Sequence, residues 1–141
     1  MASKNVKTAL GYYESFNKRD LDAAVKHTTE DVIWEDHGRG TTYKSRAELK
    51  ASNQEWIDGF SDGEVSEPKA IDAGDTVIVQ FIGRGTNDGK MGPVPATGRR
   101  VSVPFVDILT FDAKGQIVRG ETYFDMLSMM VQLGLAEAPS A

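Results

Sequence analysis

Glu121, Tyr123 and Asp125 recur at every second position in Ile117-Val118-Arg119-Gly120-Glu121-Thr122-Tyr123-Phe124-Asp125. Side chains alternate along a strand, so this spacing predicts all three on one face. Two carboxylates and a phenol are costly to bury without a use for them. If the face lines a pocket, the chemistry there is acid–base, with Asp125 as the base. If the face meets water, Asp125 is only the N-cap of the helix pattern that starts at Met126, and capping lowers a carboxylate's pKa. Glu121 stands four residues from Asp125, roughly 13 Å along a strand, too far to share a proton. It is either a second acid across a pocket or a half-exposed residue paired with an arginine.

Other residues could join such a site. Asp107 lies between Val106 and Ile108 and shares a face with Phe105 and Leu109, as a cavity carboxylate or an ion-paired sheet residue. His37 follows Trp34-Glu35-Asp36, as a proton shuttle and enolate donor or as a surface loop residue. Asp36 could orient it, although adjacent strand residues point opposite ways. Asn53 interrupts the helical stripe of Leu49, Trp56, Ile57 and Phe60. Trp34, Trp56, Phe60, Phe105 and Tyr123 suit a flat aromatic ligand, and they also suit an ordinary core.

Composition excludes several classes. The chain has no cysteine, which removes a thiol nucleophile, a thiolate metal site and a disulfide framework. With two histidines and no His-x-x-x-His helix, no metal site is expected. Net charge is -5 and the basic residues are scattered, so neither nucleic acid nor an anionic membrane surface is an expected partner. No apolar run is long enough to span a bilayer, and the polar start Met1-Ala2-Ser3-Lys4-Asn5 lacks a signal-peptide core, so the cytoplasm is the expected compartment.

The 141 residues read as a single domain, 1–141. Val6, Ala9, Leu10, Tyr13 and Phe16 predict a first amphipathic helix, and Asp20 caps a short second one over Leu21 to His27. Val32 to Asp36 is a strand, followed by a loop over His37 to Gly40. Ser45 and Glu48 stand at capping-box spacing before a third helix that ends at Ser61-Asp62-Gly63. Strands follow over Glu64 to Asp72, Thr76 to Arg84, Arg100 to Phe111 and Gln116 to Asp125. A glycine-rich loop spans Gly85 to Gly98. A short Met-rich helix and a loose tail, Ala136 to Ala141, finish the chain. Helices first, then consecutive antiparallel strands, mean α+β, with a curved sheet closing over helices around a cone-shaped pocket.

This order resembles the nuclear-transport-factor-two-like fold and, within it, the SnoaL-like polyketide cyclases. Three pieces carry the likeness. Gly85-Thr86-Asn87-Asp88-Gly89 with Pro95-Ala96-Thr97-Gly98-Arg99 is similar to the family's Gly-Thr-His-x-Gly and Pro-x-Thr-Gly-Arg. Gly115-Gln116-Ile117-Val118 is similar to Gly-Lys-Ile-Val, and Asp125 with Leu127 and Gln132-Leu133-Gly134 follows the family's ending. The resemblance implies cofactor-independent aldol cyclisation of polyketide esters, with Asp125 as general base by motif position. Tyr123, His37 and Asn53 would bind the substrate carbonyl, with Glu121 and Asp107 tuning the pocket. Asn87 departs from the family's histidine, and Glu121 from its usual aromatic. The resemblance also implies a homodimer and a small hydrophobic or aromatic ligand. The alternative is a non-catalytic module of the same fold that binds a hydrophobic ligand or a partner.

Overall fold

The computed structural model describes residues 3–139; the ends of the expected polar start and loose tail, Met1-Ala2 and Ser140-Ala141, lie outside them. Four helices and six strands follow in chain order: α1 Lys4–Asn17, α2 Leu21–Val25, β1 Thr28–Asp36, β2 Thr41–Tyr43, α3 Arg46–Gly59, β3 Glu64–Ala73, β4 Thr76–Thr86, β5 Arg100–Phe111, β6 Ile117–Phe124 and α4 Met126–Gln132. The α+β expectation holds.

Helix α1 begins where the Ser3 hydroxyl accepts the Val6 N–H, and it buries Val6, Ala9, Tyr12 and Tyr13 along one stripe. Helix α3 begins at Ser45, whose hydroxyl accepts the Glu48 N–H at 3.1 Å. It turns Leu49, Ser52 and Asn53 inward. The two helices therefore bring phenols and an amide to the space under the sheet.

The strands form one sheet in the order β2-β1-β6-β5-β4-β3. Every neighbouring pair is antiparallel except β1 and β6, which run parallel. Two features were not expected: that parallel pair, and the short strand β2, which follows the turn over His37 to Gly40. Both close the sheet edge at the point where the first half of the chain meets the last strand.

Register sets the layout of the site. Asp36 on β1 lies opposite Thr122 on β6, Thr122 opposite Asp107 on β5, and Asp107 opposite Val79 on β4. Asp36, Thr122, Asp107 and Val79 are all buried, so this row crosses the concave, helix-facing side of the sheet. The next row inward is Trp34, Gly120, Leu109 and Val77. Gly120 is glycine for a steric reason: a Cβ there would overlap the Trp34 indole. Val77 and Val79 are fully buried on this core face.

Apolar packing divides into two clusters. One joins α1, α2 and the closed end of the sheet around Tyr12, Tyr13, Trp34 and Leu109. The other gathers Phe60, Met91, Phe105 and Met129 where α4 and the long loop meet the sheet. Asn87 holds that loop: its amide donates to the Gly59 and Gly89 carbonyls, and its oxygen accepts from the Thr97 N–H and hydroxyl, each at 2.8 Å. A side chain with four satisfied bonds and no exposure is a structural staple.

Candidate active site

Between α1, α3 and the concave sheet face lies a cavity of about 120 Å³, where a single water needs roughly 10–15 Å³. Its walls are mostly aromatic, with Tyr12, Tyr13, Trp34, Trp56, Phe81 and Phe105 among them. Phe81 and Phe105 stack at 5.0 Å, and Trp56 meets Phe105 edge-on at 6.0 Å. Such walls favour a flat apolar ligand.

Three carboxylates line the cavity, the exposed Glu64 and two buried ones, Asp36 and Asp107. Strand neighbours stand about 4.8 Å apart, and Thr122 separates the two, so their Cα atoms are roughly 10 Å apart across the sheet. Neither forms an ion pair among the described residues.

Asp107 is almost fully buried and is held by hydroxyls alone. The Tyr13 hydroxyl donates to Oδ2 at 2.6 Å and the Thr122 hydroxyl donates to Oδ1 at 2.7 Å. Desolvation outweighs both bonds and, with a small push from the Asp36 charge, raises the Asp107 pKa to about 6. Burial and the Asp107 charge push the Tyr13 phenol well above its ordinary value. Thr122 in turn accepts the Trp34 indole N–H at 2.8 Å.

Asp36 ends β1 where the chain turns, and its Oδ1 accepts the Arg39 backbone N–H at 2.9 Å. Desolvation raises its pKa, opposed by the backbone N–H groups of Arg39 and Gly38 and by the Arg39 and His37 charges. Its support comes from its own turn, and among the described residues no side chain donates to the carboxylate at the cavity wall. A second polar spot lies on the helix side, where the Asn53 amide donates to the Tyr12 hydroxyl at 2.9 Å, both nearly buried.

Of the residues singled out from the sequence, Trp34, Asn53, Trp56, Phe60, Phe105 and Asp107 line the cavity. Asp125, His37, Tyr123 and Glu121 do not, and the expectation that they do is corrected. Asp125 has left the strand: its carboxylate accepts the Ser128 N–H at 3.0 Å, and the residue is an exposed N-cap of α4. Glu121 and Tyr123 flank the buried Thr122, so strand alternation sends both to the convex face. His37 joins them there, stacked on Tyr123 with ring centres 4.5 Å apart. Its Nε2 lies 3.6 Å from Glu35 and 3.7 Å from Glu121. Arg119 pairs with Glu35 and stands 3.8 Å from Glu121. These groups form a surface ion-pair network on the far side of the sheet.

Four residues of the inner site were not singled out as functional: Tyr12, Tyr13, Asp36 as a cavity carboxylate, and Thr122. One signal was available. Val32, Trp34 and Asp36 alternate, so an inward Trp34 implies an inward Asp36.

Residues 7–133 match the family described as SnoaL-like polyketide cyclase. The chain belongs to the SnoaL-like polyketide cyclase family, and its fold is that of the nuclear-transport-factor-two and ketosteroid-isomerase-like proteins. It is similar to a protein from Jannaschia sp. CCS1 described as a SnoaL-like polyketide cyclase, at 25% identity and TM-score 0.85, covering 95% of this chain and 94% of that one. It is also similar to IdmH from Streptomyces antibioticus, described as a polyketide cyclase, at 26% identity and TM-score 0.80, covering 94% and 99%. A protein from Catenulispora acidiphila DSM 44928 with a ketosteroid isomerase-like fold shares the architecture at 19% identity and TM-score 0.79, covering 94% and 98%. No curated protein matches the sequence. Among the described residues, no helix is long and apolar enough to cross a membrane.

Proposed function

We propose that the cavity catalyses proton abstraction next to a carbonyl, without a cofactor, in an intramolecular aldol closure or an isomerisation of a small apolar molecule. Family membership supports a cyclase-type role. One observation carries the chemical reading: two buried aspartates face the same aromatic cavity from one row of the sheet, with unlike supports.

Asp36 is the general base, because its carboxylate is braced by backbone and borders the cavity without a hydroxyl donating to it. Burial raises its basicity toward the useful range. It takes the proton from the carbon, and the C–H electron pair moves onto the carbonyl oxygen as an enolate. With Asp107 protonated, the Tyr13–Asp107 pair carries two hydrogens, one between its own oxygens and one for that enolate oxygen. The enolate carbon then attacks a second carbonyl of the same molecule. The new C–C bond leaves an alkoxide, which recovers the proton from Asp36. In an isomerisation the proton returns to a different carbon. The aromatic walls hold the substrate flat, and Asn53 with Tyr12 gives a second polar anchor.

The same reading includes a homodimer formed through the convex sheet face. Ile71, Ile78 and Ile108 stand there in one register row that continues into Glu121 and Glu35. Sedimentation that yields only monomer mass across a dilution series removes the dimer without touching the catalytic reading.

The catalytic reading is tested by deuterium incorporation. A panel of β-keto esters and aryl ketones is incubated with the protein in D2O and followed by proton NMR. Wild type is expected to accelerate exchange at the carbon next to the carbonyl, and Asp36→Asn to lose about 10²–10⁴-fold of that rate while still binding. Exchange that survives Asp36→Asn overturns the assignment. A cavity that binds the panel and exchanges nothing is a binding module.

A further inference from the structure

The convex face carries a group of side chains that the cavity chemistry leaves unused. Glu35 and Glu121 lie directly opposite each other in the parallel β1–β6 pair. Cross-strand neighbours stand side by side on one face, which brings the two carboxylates together. His37 lies two residues beyond Glu35, and its backbone N–H donates to the Thr122 carbonyl at 2.9 Å. That bond carries the strand ladder one step past the end of β1 and keeps His37 on the face of Glu35.

The His37 ring is held by Tyr123, stacked on it with ring centres 4.5 Å apart and planes 16° from parallel. In this position Nε2 lies 3.6 Å from Glu35 Oε2 and 3.7 Å from Glu121 Oε1. The three donor atoms all fall within 4.8 Å of one another. The two imidazole gaps are too long for hydrogen bonds. They are close to a different spacing: two ligand atoms bound to one tetrahedral zinc ion at about 2.0–2.1 Å lie about 3.4 Å apart. A few tenths of an ångström close the difference, a small rotation for a half-buried glutamate.

Charge points the same way. Among the described residues, Arg119 is the guanidinium beside these carboxylates, paired with Glu35 Oε1 and 3.8 Å from Glu121 Oε1. Two carboxylates against one guanidinium leave a formal negative charge. Arg119 takes Oε1 of Glu35, so it orients that carboxylate and leaves Oε2 to face His37.

We propose that Glu35, His37 and Glu121 form a binding site for a divalent transition ion of the zinc class, which clamps β1 to β6 on the convex face. One imidazole nitrogen and two carboxylate oxygens suit zinc, with water in the fourth position beside the part-exposed His37. Magnesium favours oxygen ligands in near-octahedral array, so the imidazole selects against it. The ligands come from opposite halves of the chain. An ion that joins them binds the folded chain and not the unfolded one, and so raises stability. The expectation of no metal site rested on spacing along the chain, and these ligands meet only through the parallel register of β1 and β6. The site is on the far side of the sheet from the cavity and stands apart from the catalytic reading.

The test is calorimetric titration of zinc chloride into the whole protein, in a buffer that does not bind zinc, with melting temperature as a second readout. Wild type should bind one zinc per chain and should melt at a higher temperature with zinc than without. His37→Gln and Glu121→Gln should each lower the affinity about tenfold or more and shrink that rise. Their melting curves without zinc show that both variants are folded. His27→Gln, which changes the other histidine of the chain, should bind zinc as wild type does. Magnesium at the same concentrations should neither bind nor stabilise.

Zinc held equally well by His37→Gln or Glu121→Gln overturns the site, as does a wild type that binds none. One zinc per two chains overturns a site complete in one chain. Magnesium that displaces zinc shows a general negative patch and overturns the assignment. None of these outcomes alters the result of the carbon-exchange test.

Discussion

The two faces of this sheet carry the same chemical groups and put them to opposite uses. On the convex face Glu35 and Glu121 meet Arg119 and His37, partly exposed to water. On the concave face, in positions directly adjacent along the chain, Asp36 and Thr122 meet Asp107, Tyr13 and Trp34 away from water. The convex carboxylates share Arg119 and are screened by water. Among the described residues the concave carboxylates form no ion pair, so desolvation dominates and makes them proton acceptors of raised pKa. One residue step along a strand separates a surface ion pair from a candidate base.

The largest expected effect sharpens this contrast. Asp36→Asn should cost about 10²–10⁴ in carbon-acid exchange, and Glu121→Gln, next to the buried row but on the other face, should change the rate less than about twofold. Comparable losses from both would erase the distinction between faces.

The second effect is on stability. The folded pKa of Asp107, about 6, lies above its ordinary value of 3.8, so between those limits the folded state binds more protons than the unfolded one. Stability from this group is therefore fully present at low pH and is lost as pH rises through about 6. The loss is about 3 kcal/mol, from about two pKa units at about 1.4 kcal/mol each. Urea denaturation of wild type and Asp107→Asn from pH 4 to pH 8 should show the variant gaining on wild type across that window. A constant difference contradicts the desolvated carboxylate.

Gly120→Ala places a methyl against the Trp34 indole and should destabilise by about 1–3 kcal/mol in the same assay. It should also disturb the Trp34–Thr122 bond. Asp125→Ala should cost about 0.5–2 kcal/mol through the lost helix cap while leaving exchange within about twofold. A large loss of exchange with unchanged stability would return the base to Asp125. Arg119→Met on the convex face is the smallest, under about 1 kcal/mol and weaker still in high salt.

Much of this molecule could be read from local pattern. The Ser45–Glu48 cap, the stripe of α1, the Asp112–Gly115 turn and the placement of Phe105, Asp107 and Leu109 on one face depend on residues within a turn or strand of one another. The expectation for Glu121, Tyr123 and Asp125 failed for a physical reason. Alternation says which residues share a face, and it does not say which face is concave. That choice is made by register with β1 and β5, where Thr122 falls between Asp36 and Asp107. Asp125 shows a second limit: the helix that follows draws it out of the strand into the cap. Tyr13 and Thr122 were hidden because their role exists only through Asp107, which lies 94 and 15 residues away from them in the chain. The family likeness led to the right fold and to a motif aspartate outside the cavity.

The most direct test of the account is a carboxyl-carbon NMR titration of the protein, with Asp107→Asn used to assign the signal. The account predicts that Asp107 titrates with a midpoint near pH 6. A midpoint at the ordinary ~3.9 would mean a solvated carboxylate, and would contradict a concave face built to hold protons away from water.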